Sequence, residues 1–217
     1  LGTFLLPEEL SFEEGSFIEP VACVVRAQGL ARLKPKQSVL VIGSGISGLL
    51  HVQMARTNGA ERVVATDINE YRLKMAGELG ADTTILATEN VPARLREAND
   101  GRLADLVIVC SGAPQAIQQA LETVERGGTI LFFATVPEGV GVTIPLYEFW
   151  RNEVTITTSY AGSPQDITEA IELLRNHRVR VREMISHRLD LSEAGLGFQL
   201  VAGARDSIKV IIEPHPH

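Results

Sequence analysis

Three glycines and one carboxylate carry the clearest chemistry in this sequence. Gly43, Gly45 and Gly48 fall in the run Gly43-Ser44-Gly45-Ile46-Ser47-Gly48, directly after the apolar stretch Ser38-Val39-Leu40-Val41-Ile42, and Asp67 follows nineteen residues after the last glycine. A strand that enters such a turn and continues into a helix has the pattern of a dinucleotide-binding βαβ unit. Gly43 suits the tight turn, Gly45 lets backbone approach a pyrophosphate, and Gly48 lets the helix pack closely on the strand. The pyrophosphate then lies at a helix N-terminus, opened by Ile46, where unpaired N–H groups and the helix dipole favour an anion without any basic side chain. Asp67, at the carboxyl end of the next strand, can accept both ribose hydroxyls of an adenosine and repels a 2′-phosphate, which predicts NAD rather than NADP. Two readings compete. One is a glycine-rich turn without a ligand, with Asp67 as a helix cap; the other is a methyltransferase, which usually has an acidic residue before the first glycine, where this chain has Ile42.

The elements that must hold these residues follow from periodicity. Ile46, Leu49, Leu50 and Met54 form one face of a helix over 46–57, and Asn58-Gly59 ends it. Strands are expected at 38–42, 62–66, 83–86, 104–110, 129–134 and 153–158, alternating with helices at 69–79, 89–98 and 114–124 and a last one, capped by Ser163, running to 176. Six strands in this alternation predict the α/β class: a doubly wound parallel Rossmann sheet covered on both faces. The flanks differ. Residues 1–20 hold Pro7, Gly15 and Pro20 with four glutamates by position 14, and residues 178–213 read as short strands around a helix at 192–202.

Composition narrows the class further. The 217 residues are 45% hydrophobic, enough for one well-buried core, and the net charge of −7 shows no long run of one sign, so no nucleic-acid partner is expected. Cys23 and Cys110 are the two cysteines, too far apart in sequence to suggest a disulfide framework or a paired-cysteine zinc site, which suits a cytoplasmic location. No apolar stretch reaches membrane-spanning length, so no membrane partner is expected. The chain opens with Leu1 and its first methionine is Met54, so it is not expected to begin where a gene begins. His51 is expected to pack or make a local hydrogen bond, and His177 to be exposed. His215 and His217 sit in a Pro-rich tail, and no histidine forms a triad or metal pair. Cys110 reads as a buried strand residue rather than a nucleophile.

Six ordered segments together resemble the zinc-dependent medium-chain dehydrogenases of the alcohol dehydrogenase superfamily. They are Leu10-Ser11-Phe12-Glu13-Glu14-Gly15 to Glu19-Pro20, the strand and glycine turn, Thr66-Asp67 with Arg72-Leu73 and Gly80-Ala81-Asp82, Ser159-Tyr160-Ala161-Gly162-Ser163-Pro164, Ile185-Ser186-His187-Arg188, and Ile208-Lys209-Val210. The branch most resembled is that of sorbitol, threonine and related polyol dehydrogenases. The resemblance implies a Rossmann domain, here 20–177, inserted into a GroES-like, β-rich catalytic domain of which 1–19 and 178–217 are remnants; Gly2-Thr3-Phe4 resembles the approach to the Rossmann domain.

The resemblance also implies site residues. Glu19 matches a glutamate at the catalytic zinc, bound directly or through water, while the family's Cys and His-Glu ligands and its four-cysteine zinc loop are not found. Arg72 is placed against the adenine edge, Ser111 and Gly112 on the adenosine side, and backbone around Ala134 to Val136 and Thr158 to Tyr160 at the nicotinamide carboxamide. His187 is placed where domains join. The implied function is hydride transfer between NAD and a small alcohol or polyol with zinc assistance. This chain is the cofactor-binding portion and inactive alone, with no catalytic residue assigned. The alternatives are a non-catalytic NAD-sensing module and a zinc-free medium-chain reductase. A homodimer or homotetramer is expected, with the edge strand at 153–158 pairing with its copy and Val142-Thr143-Ile144-Pro145 as an accessory contact.

Overall fold

Six strands alternate with helices along the chain: β1 (Ser38–Ile42), β2 (Arg62–Asp67), β3 (Thr83–Leu86), β4 (Ala104–Val109), β5 (Val124–Phe132) and β6 (Thr155–Thr158). In the computed structural model, which describes residues 3–214, they form one sheet in the order β3-β2-β1-β4-β5-β6, and every neighbouring pair is parallel. This is the expected doubly wound sheet, with the reversal of strand order between β1 and β4. Leu1, Gly2, His215 and His217 lie outside the described residues.

The helices are α1 (Phe12–Gly15), α2 (Ile18–Ala31), α3 (Ile46–Thr57), α4 (Glu70–Glu78), α5 (Val91–Ala98), α6 (Pro114–Thr123), α7 (Leu146–Arg151), α8 (Pro164–Arg175) and α9 (Ala194–Gly203). Side chains alternate across a strand, and both sheet faces are covered, so β1 is buried at every position. Val39 and Val41 join Val63, Ala65, Ile108 and Leu131 under α2, α3, α4 and α8. Leu40 and Ile42 join Val64, Val107, Val109 and Ile130 under α5 and α6.

Local chemistry sets the helix starts. Asn69 accepts from the Tyr71 and Arg72 N–H groups, Asn90 accepts from Ala93 N–H, and Ser163 with Asp166 closes a capping box on α8. β4 stops at Val109, one residue short of expectation, α5 starts at Val91 after its Asn90 cap, and β5 and β6 depart further. A strand residue is paired as early as Val124, but Glu125 to Gly128 loop out where Gly127 takes φ +71°, and the regular ladder resumes at Thr129. That ladder ends at Phe132, because Phe133 and Ala134 both donate to the Val109 carbonyl. β6 starts only at Thr155, since Glu153 takes φ +55°. Three helices lie outside the expected elements, and the first, α1, is a single turn capped by Ser11. α2 buries Val21, Ala22, Val24, Val25, Gln28 and Ala31, a helical spacing legible in hindsight, whereas α7 buries only Phe149.

The flanks meet. β7 (Ile185–Asp190) and β8 (Lys209–Glu213) form a second, two-stranded parallel sheet with α9 as crossover, and α1 docks beside it. Leu10 and Phe17 from the first flank share one buried cluster with Val181, Met184, Ile185 and Ile208 from the last, and that cluster continues into the main core. Charge reinforces the contact: Glu13 pairs with Arg188 and Glu14 with Arg182, while Glu9 pairs with Arg175 at the end of α8.

Glu14 is the best placed of these, at 4% exposure. It accepts two hydrogen bonds from the Arg182 guanidinium, at 3.0 and 3.1 Å, and two more from Ser11 N–H and Oγ. The Arg182 hydrogen bonds outweigh burial and, with those from Ser11, hold its carboxyl down to about 2. A depressed carboxyl contributes stability that is complete above its ordinary value near 4.5 and is lost as pH falls toward 2. Glu14→Ala is expected to lower the unfolding free energy at pH 7 by about 1–2 kcal/mol, since Arg182 is largely solvated. Urea titrations should show the gap to wild type narrowing between pH 4.5 and 2.

Candidate dinucleotide-binding site

The turn after β1 is built on backbone approaches that exclude side chains. Gly43 takes φ +93° and donates its N–H to the Thr66 carbonyl at 2.9 Å. A Cβ on Gly48 would lie 1.8 Å from the Gly43 oxygen, so α3 can pack against the turn only through glycine. Gly45 is the N-cap of α3 and brings no side-chain acceptor, and the first turn contains no acidic residue. The first N–H groups of a 12-residue helix, including that of Ile46, are thus free to meet an anion. A Cβ at Gly45 would meet only Arg72 Nη1, at 3.7 Å. The cradle fits a pyrophosphate.

Asp67 stands at the end of β2 with 7% exposure, as the spacing predicts. Its Oδ2 accepts from Ser44 N–H at 2.7 Å and its Oδ1 from Asn69 N–H at 2.9 Å. Arg72, one turn into α4, is half-buried beside Gly45 and donates through Nη2 to the Ser207 carbonyl at 3.1 Å. Gly43, Gly45, Ile46, Gly48, Asp67 and Arg72 therefore surround the ends of β1 and β2.

The other candidates lie farther along the same carboxyl edge of the sheet. Ser111 and Gly112 follow β4, and a Cβ on Gly112 would come within 2.5 Å of the Thr135 carbonyl, so the loops after β4 and β5 touch through backbone. Val136 follows β5 and is partly buried against the α5 and α6 side of the core. Tyr160 follows β6 with its side chain 94% exposed. Ser44, fully buried between two glycines, and Asn69 are residues that sequence reasoning did not single out for the site. Asn69 was visible only as a helix start; no pattern marks Ser44.

Glu19 lies in the first turn of α2, exposed, and accepts from Cys23 Sγ at 3.1 Å. Burial, then the hydrogen bond to Glu19, pushes the Cys23 thiol up to about 12. Among the described residues no three His, Cys, Asp or Glu side chains converge to hold a metal ion, and a catalytic zinc takes three protein ligands. The described residues do not by themselves fit a zinc centre. Cys110 lies one residue past the end of β4 and is partly buried rather than inside the strand as expected, and burial of its thiol pushes the pKa far up, as suits an unreactive cysteine. His187 is half-buried on β7 with Nδ1 3.0 Å from Ser186 Oγ, and His177 is exposed.

His51 is fully buried on α3, with Nδ1 3.2 Å from Gln28 Nε2 and its ring edge-on to Phe133 at 4.6 Å. It packs in the core as expected, but its side-chain hydrogen-bond partner is on another helix, α2, rather than local. Burial lowers its pKa from 6.5 to about 3. The unfolded chain binds the proton first, so stability is complete above pH 6.5 and declines toward pH 3. His51→Gln is expected to flatten that decline by up to about 1.4 kcal/mol per pH unit, read from urea midpoints at pH 7 and 5. Gly48→Ala is expected to weaken dinucleotide binding at least about tenfold or to prevent folding, checked by cofactor titration and circular dichroism, because the clash is with backbone.

Residues 47–176 match the sequence model of a family described as zinc-binding dehydrogenase. Sorbitol dehydrogenase of Gallus gallus is 31% identical over 216 residues, covering 98% of this chain and 60% of the relative. D-xylulose reductase of Saccharomyces cerevisiae is 30% identical over 220 residues, covering 97% and 60%. A Sinorhizobium meliloti protein assigned as a zinc-binding dehydrogenase, solved bound to NADP, superposes with a TM-score of 0.90 at 27% identity, covering 97% of this chain and 62% of that one. The chain thus spans about three fifths of the length of the curated relatives it matches. With more than half of its residues matched by the family model and relatives at this identity aligned along nearly all of it, the chain belongs to the zinc-binding dehydrogenase family.

Proposed function

We propose that this chain is the cofactor-binding portion of an NAD-dependent, zinc-assisted dehydrogenase acting on a small alcohol or polyol. The observation that carries the proposal is the glycine cradle at the α3 N-terminus with Asp67 beside it, in a family whose relatives include sorbitol dehydrogenase and D-xylulose reductase. The bound cofactor supplies the nicotinamide that exchanges hydride with the alcohol carbon. Gly45, Ile46 and Gly48 would hold the pyrophosphate through backbone N–H groups and the helix dipole, while Gly43, its own N–H bonded to the Thr66 carbonyl, shapes the turn. Asp67 accepts the adenosine ribose hydroxyls, Arg72 borders the adenine, Ser111 and Gly112 line the adenosine side, and backbone at Val136 and Tyr160 orients the carboxamide. Glu19 contributes one carboxylate to a zinc centre of the whole protein, and no reaction step is assigned to it.

Three further features complete the reading. Residues 20–177 act as the cofactor unit, with 1–19 and 178–217 belonging to the catalytic unit. β6 ends the sheet, and Leu146, Tyr147 and Trp150 on neighbouring α7 are 75%, 63% and 73% exposed, which supports antiparallel pairing of β6 with a second copy and assembly as a homodimer or homotetramer. No described helix is long and apolar enough to cross a membrane, and two unpaired cysteines suit a cytoplasmic location.

Cofactor choice is the sharpest test. The S. meliloti neighbour holds NADP, whereas a nearly buried carboxylate at the ribose position favours NAD. Fluorescence titration is expected to give NADH binding in the micromolar range and NADPH binding at least about tenfold weaker, with no alcohol turnover by this chain alone. Equal or tighter NADPH binding with Asp67 intact would overturn the NAD assignment.

A further inference from the structure

We infer that Asp67 is a positioning residue that holds the glycine turn in its binding shape, in addition to any contact it makes with a ribose. The turn contains two glycines around Ser44, and glycine gives a backbone more conformations to lose than any other residue. Something must restrain it. Gly43 N–H and Ser44 Oγ both donate to the Thr66 carbonyl, at 2.9 and 3.2 Å, and Ser44 N–H donates to Asp67 Oδ2 at 2.7 Å. Ser44 is fully buried, so without Asp67 its N–H has neither water nor protein as acceptor.

Asp67 is itself fixed from the other side. Its Oδ1 accepts from Asn69 N–H at 2.9 Å, and Asn69 in turn caps α4 through Oδ1 and donates through Nδ2 to the Arg205 carbonyl at 2.6 Å. The carboxylate bridges the turn to the start of α4. A carboxylate has about four acceptor sites, so two backbone bonds leave room for ribose hydroxyls. Ser44 N–H is committed inward, which leaves the N–H groups from Gly45 onward for the pyrophosphate. Replacing Asp67 therefore does not simply exchange NAD preference for NADP preference. It loosens the turn that both cofactors share.

The ligand arm of the test rests on the proposed cofactor reading; the exchange arm does not. Amide hydrogen exchange at Ser44 is measured in wild type, Asp67→Asn and Asp67→Ala without ligand. Each is then titrated with NADH and with an NADH analogue lacking the adenosine 2′- and 3′-hydroxyls. In Asp67→Ala, Ser44 exchange is expected to accelerate, and the analogue to bind about tenfold or more weakly, although it has no hydroxyls for Asp67 to contact. Asp67→Asn should fall between, because an amide oxygen can still accept one N–H, and it serves as the readout if the alanine variant does not fold. Analogue affinity within about twofold of wild type overturns the inference, as does unchanged Ser44 exchange in the folded variants. If wild type binds neither ligand, the cofactor reading fails and Ser44 exchange alone decides.

Discussion

The contact between Gly48 and the Gly43 carbonyl is the constraint on which the site depends. With 1.8 Å between that oxygen and the place a Cβ would occupy, α3 can reach β1 only if position 48 has no side chain. Close approach brings the helix N-terminus onto the end of the strand and aims its unpaired N–H groups at the reversal of strand order. A helix held one methyl group farther out would still cover the sheet, but its dipole would no longer lie against the turn. The same contact therefore serves packing and shapes the proposed binding site.

This arrangement explains how an acidic chain can carry an anion site. The net charge of −7 gives no long-range attraction for a phosphate, and the Gly45 cap leaves the α3 first turn without an acid to compete for its N–H groups. Attraction is local and comes from backbone dipoles whose direction the fold fixes. Asp67 is tolerated nearby because its two oxygens face backbone donors, Ser44 and Asn69, rather than the helix end.

The flanks show a different balance of forces. Arg182 and Glu14 are separated by 168 residues, yet their bidentate pair ties the first helix to the last segment. The apolar cluster does most of this work, since surface ion pairs contribute little in water. Glu14 differs from Glu9 and Glu13 because the capping box with Ser11 also holds its carboxylate.

Sequence alone determined the α/β class, the βαβ unit and the span of α3, because helix and strand periods, glycine spacing and caps such as Asn69 and Ser163 are local and act within a few residues. It also determined that Gly43, Gly45, Gly48 and Asp67 would converge, since a strand, a helix and a strand in parallel leave one short edge for them. Tertiary structure alone decided what those residues touch. The looped-out stretch before Thr129, the burial of Ser44, the hydrogen bond from Ser44 N–H to Asp67 and the commitment of Arg72 to Ser207 all depend on segments distant in sequence. The docking of the two flanks is of the same kind. No local pattern encodes such contacts, because a hydrogen bond between remote groups costs nothing to leave unmade until the core brings them together and removes the water.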